Sequence, residues 1–471
     1  MATPHLGFQL VCHLLGGEFP ALLCDDELER QVEQQIAHLS PDLRGIAFAQ
    51  CVVELERLFN QIRPQRFTGL RPVPGASFPE VSYRRHGASQ RRIVLHFVPR
   101  AEYHTARLAM TFPSDTSRAW VDVDLAALIA NARTVAAVSG SRLLPMVKAN
   151  GYGLGAVEVA RALESVDPWG FGVASVEEAA ALREAGITRP VLVVTPLVPQ
   201  WIEQYLQLDL RPAIGDQAAL QAWTTRTERP FHVEIDTGMS RAGVRWDDRA
   251  SLDTLRSELG KASGWEGVFT HFLSAESDTD TTVRQWDRFQ EVVQSLSRRP
   301  VLVHAANSAA ALRGRGFAAD LVRPGIFLYG GTAGGPEPRP VAALRGRVVA
   351  IRSIAPRDTV GYGASWRADR PCVIATISVG YADGFPRAGP VGGSGAARVV
   401  EVGGKLAPVA GRVTMDMCMA VVDHDVAIGD VATVFGGLVT LDRQASAAGT
   451  ISYELLTRLG SRVPRRYERP T

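Results

Sequence analysis

The chain has 471 residues, enough for two or three domains that each bury a substantial core. Its hydrophobic fraction of 46% and charged fraction of 21% are typical of a soluble globular protein. A net charge of +2 gives no electrostatic basis for nucleic-acid binding, and no apolar run approaches the roughly 18 residues of a membrane helix. The composition therefore predicts neither nucleic acid nor a membrane as partner.

The cysteines indicate neither a zinc site nor a set of disulfides, because they form no CxxC pair and are odd in number. The N-terminal stretch has no basic lead and is interrupted by polar residues, so secretion is not expected. We interpret the five cysteines as reduced thiols of a cytoplasmic protein, and we predict no metal site. They are Cys12, Cys24, Cys51, Cys372 and Cys418.

Residues 1–113 contain no lysine and no motif that carries chemistry. Amphipathic patterns predict helices over residues 27–39 and 46–59. Three interpretations stay open for this extension. It is either a regulatory or partner-binding module, or a dispensable extension, or a segment that is not translated at all, with Met110 as the true start. Peptides from residues 1–109 in the endogenous protein would exclude a start at Met110.

From Trp120 onward, short apolar runs alternate with segments of helical period. Ser175 and Glu178 have the spacing of a capping box for one of these helices, and Gly186 is a suitable C-terminal stop. Eight consecutive βα units predict a TIM barrel, with a doubly wound open sheet as the alternative. The eight strand candidates, each short and apolar enough to be buried, are LLPMV, GFGVAS, PVLVV, LRPAI, HVEID, GVFTH, VLVHAAN and DLVRPGI.

The pattern changes after the Gly/Pro-rich stretch GGTAGGPEPRP, where short β-rich runs replace the βα alternation. We therefore predict an α/β chain in three parts. These are an N-terminal extension of uncertain fold at 1–113, a (β/α)8 barrel at 114–340 and a mostly β C-terminal domain at 341–471.

Reactive side chains stand where the predicted barrel strands end, and a barrel gathers these ends around one mouth. Lys148 is one of only three lysines in the chain. A lysine in an apolar pocket loses its preference for the charged form, and its amine becomes a nucleophile or a base. The glycines that follow allow close backbone approach, and Tyr152 can donate a hydroxyl. This combination suits a Schiff-base lysine beside an anionic cofactor. Other residues at the strand ends are Asp236, Arg241, His271, His304, Asn307 and Arg323.

The stretch VKANGYGLGA closely resembles the pyridoxal-phosphate (PLP) lysine motif of alanine racemases. The resemblance continues in order from about Arg118 to Tyr467, roughly three quarters of the chain. The further motifs are DTGMSRAG, THFLSAESD, HAANSAA, RPGIFLYG, GYGASW, SVGYADGFPR, GRVTMDMCM and SYELLTRLGSRVPRRY.

The resemblance implies PLP-dependent racemisation of L- and D-alanine, which supplies D-alanine for peptidoglycan. It also implies a head-to-tail homodimer in which Tyr362 and Met415 enter the partner's active site. Two alternatives remain: a racemase of another amino acid such as serine, and a catalytically silent PLP-binding protein. PLP-dependent decarboxylases share the two-domain architecture, but they do not need a second base on the opposite face of the cofactor.

The resemblance further assigns roles to individual residues. Lys148 would bind PLP covalently and act as one base, and Tyr362 would be the second base, with its pKa adjusted by His271. Arg323 would face the pyridine nitrogen, and because arginine keeps its proton the ring becomes a weaker electron sink. The other implied PLP-binding residues are Tyr152, Arg241, His271, Asn307, Ser308, Gly325, Ile326 and Tyr453. The implied substrate-binding residues are Arg241, Met415 and Tyr381, and the supporting residues are Glu234, His304 and Asp416.

One position departs from the family pattern. Family members commonly carry a lysine, carbamylated in some, two residues before the aspartate of DTGM, where this chain has Glu234. We hypothesise that Glu234 supplies a permanent carboxylate that orients Arg241 without a need for carbon dioxide.

Overall fold

The computed structural model describes residues 116–387 and 398–468, together with three short strands nearer the N terminus. In these three strands, β3 pairs in parallel with β1 and antiparallel with β2, inside a compact unit distinct from residues 116–471. The helices predicted over 27–39 and 46–59, and Met110, lie outside the described residues. The three strands are β1 (Val11–Cys12), β2 (Ser82–His86) and β3 (Gln90–Leu95).

The next ten strands of the chain include the eight that build a parallel barrel. They are β4 (Ala119–Asp124), β5 (Arg142–Leu143), β6 (Phe171–Val173), β7 (Val191–Pro196), β8 (Arg211–Ile214), β9 (Phe231–Asp236), β10 (Val244–Arg245), β11 (Trp265–Phe269), β12 (Leu302–His304) and β13 (Leu321–Val322). Eight of them follow each other in the order β5-β13-β12-β11-β9-β8-β7-β6, and β10 pairs only with the outer part of β9. A bridge between Met146 and Gly172 joins β5 to β6 and closes the ring. The TIM barrel and its eight predicted strands are confirmed, and the open sheet is excluded.

Helices alternate with these strands along the chain. They are α1 (Leu125–Ser139), α2 (Lys148–Tyr152), α3 (Ala156–Leu163), α4 (Val176–Glu184), α5 (Ile202–Gln207), α6 (Gln217–Arg226), α7 (Arg249–Leu259), α8 (Thr279–Ser295) and α9 (Ser308–Leu312). The predicted cap of α4 is present, because Ser175 Oγ accepts a hydrogen bond from the Glu178 N–H at 3.3 Å. The second hydrogen bond of a capping box, from the Ser175 N–H to the Glu178 carboxylate, was predicted wrongly. The Glu178 carboxylate instead accepts backbone N–H groups at the ends of β5 and β6.

The second domain is mostly β. Its elements are β14 (Ala342–Ile354), β15 (Thr359–Val360), β16 (Trp366–Arg367), β17 (Cys372–Ile377), β18 (Val399–Val402), β19 (Lys405–Pro408), β20 (Cys418–Val422), β21 (Val431–Phe435), α10 (Leu441–Ala447), α11 (Ser452–Thr457) and β22 (Arg465–Glu468). The long strand β14 pairs with β17 and β21, and it begins directly after the predicted boundary at Val341. Strand β4 was predicted as part of the barrel segment 114–340, but it pairs with β14 and β22 in this second sheet.

One hydrophobic cluster runs from the barrel into the β domain and includes the fully buried Phe171, Phe327, Leu344 and Phe435. Shared apolar burial of this kind holds the two parts in a fixed relation, because separating them would expose the cluster to water. The β domain therefore stands at a defined place relative to the mouth of the barrel.

The described part of the chain has free thiols at Cys372 and Cys418, and complete burial raises the pKa of Cys418 to about 12. No three histidine, cysteine or acidic side chains of these described residues are grouped so that they could hold a metal ion. None of the helices in this part of the chain is long and apolar enough to cross a bilayer.

Candidate active site

Lys148 stands at the mouth of the barrel, where the chain leaves β5 and enters the short helix α2. The backbone here is left-handed, with φ of 52° at Ala149, 54° at Asn150, 62° at Gly151 and 52° at Tyr152. This conformation costs a residue with a side chain roughly 1–2 kcal/mol. Contacts from other elements must therefore hold the turn that carries Lys148.

The strongest contacts to this turn come from Glu178 on α4. Its Oε1 accepts the Ala149 N–H at 2.6 Å, and its Oε2 accepts the Ala174 N–H at 2.8 Å. The carboxylate thus ties the ends of β5 and β6 together beside Lys148. On the other side of the turn, Asn150 Oδ1 accepts the Ala156 N–H at 3.0 Å and so fixes the start of α3.

The β domain holds the same turn from outside. Arg465 donates from Nε to the Gly153 carbonyl, and Tyr467 donates its hydroxyl to the Leu154 carbonyl, both at 2.9 Å. Strand β22 therefore contributes directly to the geometry behind Lys148.

The surroundings of Lys148 disfavour its charged form. Burial lowers the pKa of its amine, Arg241 lowers it further, Glu178 opposes this shift, and Arg323 adds to it. The direction is the one predicted from the sequence. An uncharged amine is thus more accessible here than at an exposed lysine.

A group of hydrogen-bonding residues lies beside this turn. Ser308 Oγ accepts the Gly325 N–H at 2.8 Å and the Phe327 N–H at 3.4 Å. The buried Tyr152 hydroxyl approaches Gly325 so closely that a Cβ added there would lie 2.2 Å from it. Only glycine therefore fits at position 325. Burial raises the pKa of Tyr152, so its hydroxyl stays protonated and able to donate.

Three further residues complete this side of the site. Tyr152 stacks on Tyr329 with ring centroids 4.4 Å apart, and the ring of Tyr453 lies 6.1 Å from that of Tyr152. The Tyr453 hydroxyl donates to Glu276 at 2.8 Å. Asn307 caps α9 through a hydrogen bond from the Ala310 N–H to its Oδ1 at 3.0 Å. It thereby positions Ser308, the first residue of that helix.

Arg323 is buried, with 5% of its surface exposed. Burial lowers the pKa of its guanidinium to about 10, and the carboxylate of Glu234 opposes this shift. Its Nη2 donates to the Thr270 carbonyl at 2.7 Å and to His271 Nδ1 at 3.3 Å, and its Nη1 donates to His304 Nδ1 at 2.7 Å. The pKa of His271 falls to about 3 because of burial and the cations of Arg323, Arg241 and Lys148. His271 is therefore a neutral imidazole.

Glu234 and Arg241 line a small pocket together with Thr270 and His271. Glu234 Oε1 lies 3.8 Å from Arg241 Nη2. Burial raises the pKa of Glu234 above its usual value, and the cations of Arg241 and Arg323 offset only part of this shift. Asp236 has a structural part, because its Oδ1 accepts the N–H groups of the three residues 238–240 at 2.9, 3.0 and 3.0 Å. These bonds fix the loop that presents Arg241.

The predicted residues of the second domain lie at its surface. Tyr362 occupies the turn between β15 and β16 and is 68% exposed, and Met415 is 53% exposed. The Met415 carbonyl accepts the Ala382 N–H at 3.0 Å, which ties its loop to the one that carries Tyr381. Asp416 forms an ion pair with Arg462 at 2.7 Å. The barrel residues are thus gathered at one mouth, whereas Tyr362 and Met415 are presented outward.

Fold and site together place a strand-end lysine beside a cluster of hydroxyl and backbone N–H groups at the mouth of a (β/α)8 barrel, the end where enzymes of this fold carry their active sites. Family models described as alanine racemase, N-terminal domain, and alanine racemase, C-terminal domain, match residues 123–333 and 341–467. The chain belongs to the alanine racemase family and is, with it, an enzyme of the isomerase class.

Individual relatives agree with this assignment. The alanine racemase of Deinococcus radiodurans is 38% identical over 361 residues, which cover 74% of this chain and 99% of the relative. The biosynthetic alanine racemase of Pseudomonas aeruginosa superposes with a TM-score of 0.68 at 33% identity, covering 75% of this chain and 99% of that chain. The alanine racemase of Bartonella henselae, solved with covalently bound pyridoxal phosphate, superposes with a TM-score of 0.68 at 30% identity. The match covers 75% of this chain and 100% of that chain.

Proposed function

We propose that this chain racemises L- and D-alanine with PLP, by a two-base mechanism in a head-to-tail homodimer. The observation that carries the proposal is Lys148, a barrel-mouth amine whose pKa is lowered by burial and by two facing arginines. In the cell the reaction would supply D-alanine for peptidoglycan, in the cytoplasm.

The residues present fit PLP. Lys148 would bind its aldehyde carbon, and Tyr152, Ser308, the amides of Gly325 and Ile326, and Tyr453 would hold its phosphate. The close approach of Tyr152 to Gly325 and the hydrogen bond from the Gly325 amide to Ser308 support this assignment, because these three residues lie together. PLP, when bound, withdraws electrons from the amino acid and makes its α-proton acidic.

Racemisation requires two bases, because the α-proton leaves one face of the substrate and a proton returns to the other. Lys148 serves one face and Tyr362 the other. A tyrosine near its unperturbed pKa of about 10 is a poor base, so a neighbour must favour the phenolate. His271 is neutral and accepts from Arg323 through Nδ1, so its Nε2–H is free to donate to that phenolate oxygen.

Arg323 would face the pyridine nitrogen. Although its pKa is lowered to about 10, the guanidinium remains charged near neutral pH. It would therefore donate a hydrogen bond without giving up a proton, which would limit electron withdrawal by the ring and suppress side reactions such as transamination.

The substrate carboxylate would be bound by Arg241, the backbone at Met415 and Tyr381. The exposure of Tyr362 and Met415 in the single chain supports a dimer in which each β domain covers the partner's barrel mouth. A monomer would lack the second base, because Tyr362 would come from the partner subunit.

Glu234 is expected to matter through its charge, so Glu234→Gln should lower kcat/KM by roughly fivefold, the factor for a lost half-exposed ion pair of up to about 1 kcal/mol. The neutral amide keeps the shape of the side chain but no longer orients Arg241 across the 3.8 Å contact. The measurement is steady-state racemisation in both directions, with and without added bicarbonate.

The exposed Glu228→Gln is the matched control and should behave as wild type. Activity of Glu234→Gln close to wild type would show that the glutamate does not replace the carbamylated lysine.

The reaction itself is tested with the full-length protein in two steps. Borohydride reduction followed by peptide mapping should fix PLP on Lys148, and L-alanine should lose its α-proton to deuterated water. PLP attachment without exchange would identify a silent PLP-binding protein. Faster exchange with serine than with alanine would assign a different substrate.

A further inference from the structure

A chain of buried polar side chains leads away from Arg323 into the barrel. His304 lies next to Arg323, and its Nε2 is 2.8 Å from Nδ1 of His232. His232 Nε2 is in turn 3.1 Å from Glu266 Oε2. Both imidazoles are fully buried, whereas the Glu266 side chain is 21% exposed. His232 and Glu266 have no part in the reaction as described above.

The chemistry of the two ends sets the direction of every hydrogen bond. A guanidinium only donates, so His304 Nδ1 accepts from Arg323 and the proton of His304 stands on Nε2. That proton is donated to His232 Nδ1, which places the proton of His232 on its own Nε2. The last acceptor is the Glu266 carboxylate, which can only accept while it is ionised. Both histidines are therefore neutral Nε2–H tautomers.

The charges around the chain agree with this assignment. Burial lowers the pKa of both histidines and Arg323 lowers it further; Glu266 opposes this shift at His232 but does not reverse it, so both imidazoles favour the neutral form. Burial alone would raise the pKa of Glu266, but the His232 hydrogen bond and Arg211, with its Nε 3.6 Å away, hold it below its usual value. Glu266 therefore remains ionised and acts as the final acceptor.

Aromatic rings and a glycine shape the path. Phe269 stacks on His304 at 5.0 Å with an angle of 11° between the rings, and Trp169 lies 5.4 Å from His232. The His232 ring occupies the space beside Gly267, where an added Cβ would lie 2.5 Å from its Nδ1. The position in β11 facing His232 must therefore be glycine. Packing thus leaves the two rings little freedom to turn.

We propose that His232 and Glu266 are positioning residues for Arg323, acting through His304. Their hydrogen bonds keep the proton of His304 on Nε2, so its Nδ1 can only accept from the Arg323 guanidinium. This hydrogen bond holds Arg323 in one orientation at the site. If Glu266 offered no acceptor, the buried His232 Nε2–H would lack a partner, and the pair would be free to reorganise. The consequence for the cofactor rests on the proposed function, whereas the tautomers do not.

The first test is ¹⁵N NMR of the histidine-labelled full-length holoenzyme. His232 and His304, assigned by loss of their signals in His232→Gln and His304→Gln, should both show a protonated Nε2 and a bare Nδ1, unchanged between weakly acid and weakly alkaline pH. His424, exposed in the β domain, provides a reference signal outside this chain of hydrogen bonds. A protonated Nδ1 on His304, or an imidazolium at either residue, would overturn the proposal, whatever the enzyme's reaction.

The second test compares Glu266→Leu with Glu266→Gln. The leucine variant removes the acceptor, and transamination of alanine, the side reaction that Arg323 would suppress, releases pyruvate. The pyruvate formed per racemisation turnover should therefore rise by about tenfold, the order expected for one unsatisfied buried donor. The glutamine variant keeps an acceptor oxygen and should stay near the wild-type ratio. An unchanged ratio in Glu266→Leu, or equal damage in both variants, would overturn the positioning role. If the wild type neither racemises alanine nor binds PLP, the proposed function fails, and the NMR test still decides the tautomers.

Discussion

Lys148→Arg should lose racemase activity by at least about 10⁴-fold, because the substitution removes both a nucleophile and a general base. Arginine keeps the positive charge and most of the length of lysine, but its guanidinium holds its proton and forms no stable covalent bond to PLP at neutral pH. Arginine is also the usual cation of this chain, in which only three of the 51 basic residues are lysines. The measurements are α-proton exchange of alanine and the mass of the protein after borohydride reduction.

The other two lysines provide matched controls. Lys261 is exposed, and Lys405 pairs with Asp423 at 2.9 Å on the surface of the β domain. Lys261→Arg and Lys405→Arg should retain wild-type exchange and should still be labelled by one PLP per chain. Residual labelling of Lys148→Arg at the wild-type level would mean that PLP is attached elsewhere.

The barrel was predictable because its signal is local. Each strand is a short apolar run followed by a helix-forming segment, and Lys148, Asp236, His271 and Arg323 each stand directly after such a run. Strand β4 was not predictable in this way. Its partners β14 and β22 lie more than 200 residues away, so only long-range pairing reveals that it belongs to the second sheet.

The residues that hold the site in place were harder to find than those proposed to do its chemistry. Glu178 has the correct spacing for a capping box, yet its carboxylate serves the turn of Lys148, 29 residues away along the chain. In the sequence, His232 and Glu266 fit the polar–apolar alternation of their two strands and carry no sign of a contact between them. Only the closed barrel brings them into one chain of hydrogen bonds. A polar residue inside an otherwise apolar strand was the one available signal.

Tyr362→Phe should lower kcat/KM for racemisation by about 10²–10⁴-fold, the usual contribution of a general acid or base. The ring is retained, and its exposed position at the turn between β15 and β16 makes a folding defect unexpected. Thermal unfolding should therefore match wild type while exchange of the α-proton slows.

Mixed dimers sharpen this prediction, because Lys148 and Tyr362 are proposed to meet across the subunit interface. In a dimer of one Lys148→Arg chain and one Tyr362→Phe chain, one site carries both substitutions and the other site carries neither. Co-refolding equal amounts of the two inactive variants gives half mixed dimers, and so should restore about a quarter of wild-type activity. Each variant incubated alone should stay inactive. Without recovery in the mixture, Lys148 and Tyr362 do not meet across the interface, and the shared-site dimer would be wrong even if both residues are essential.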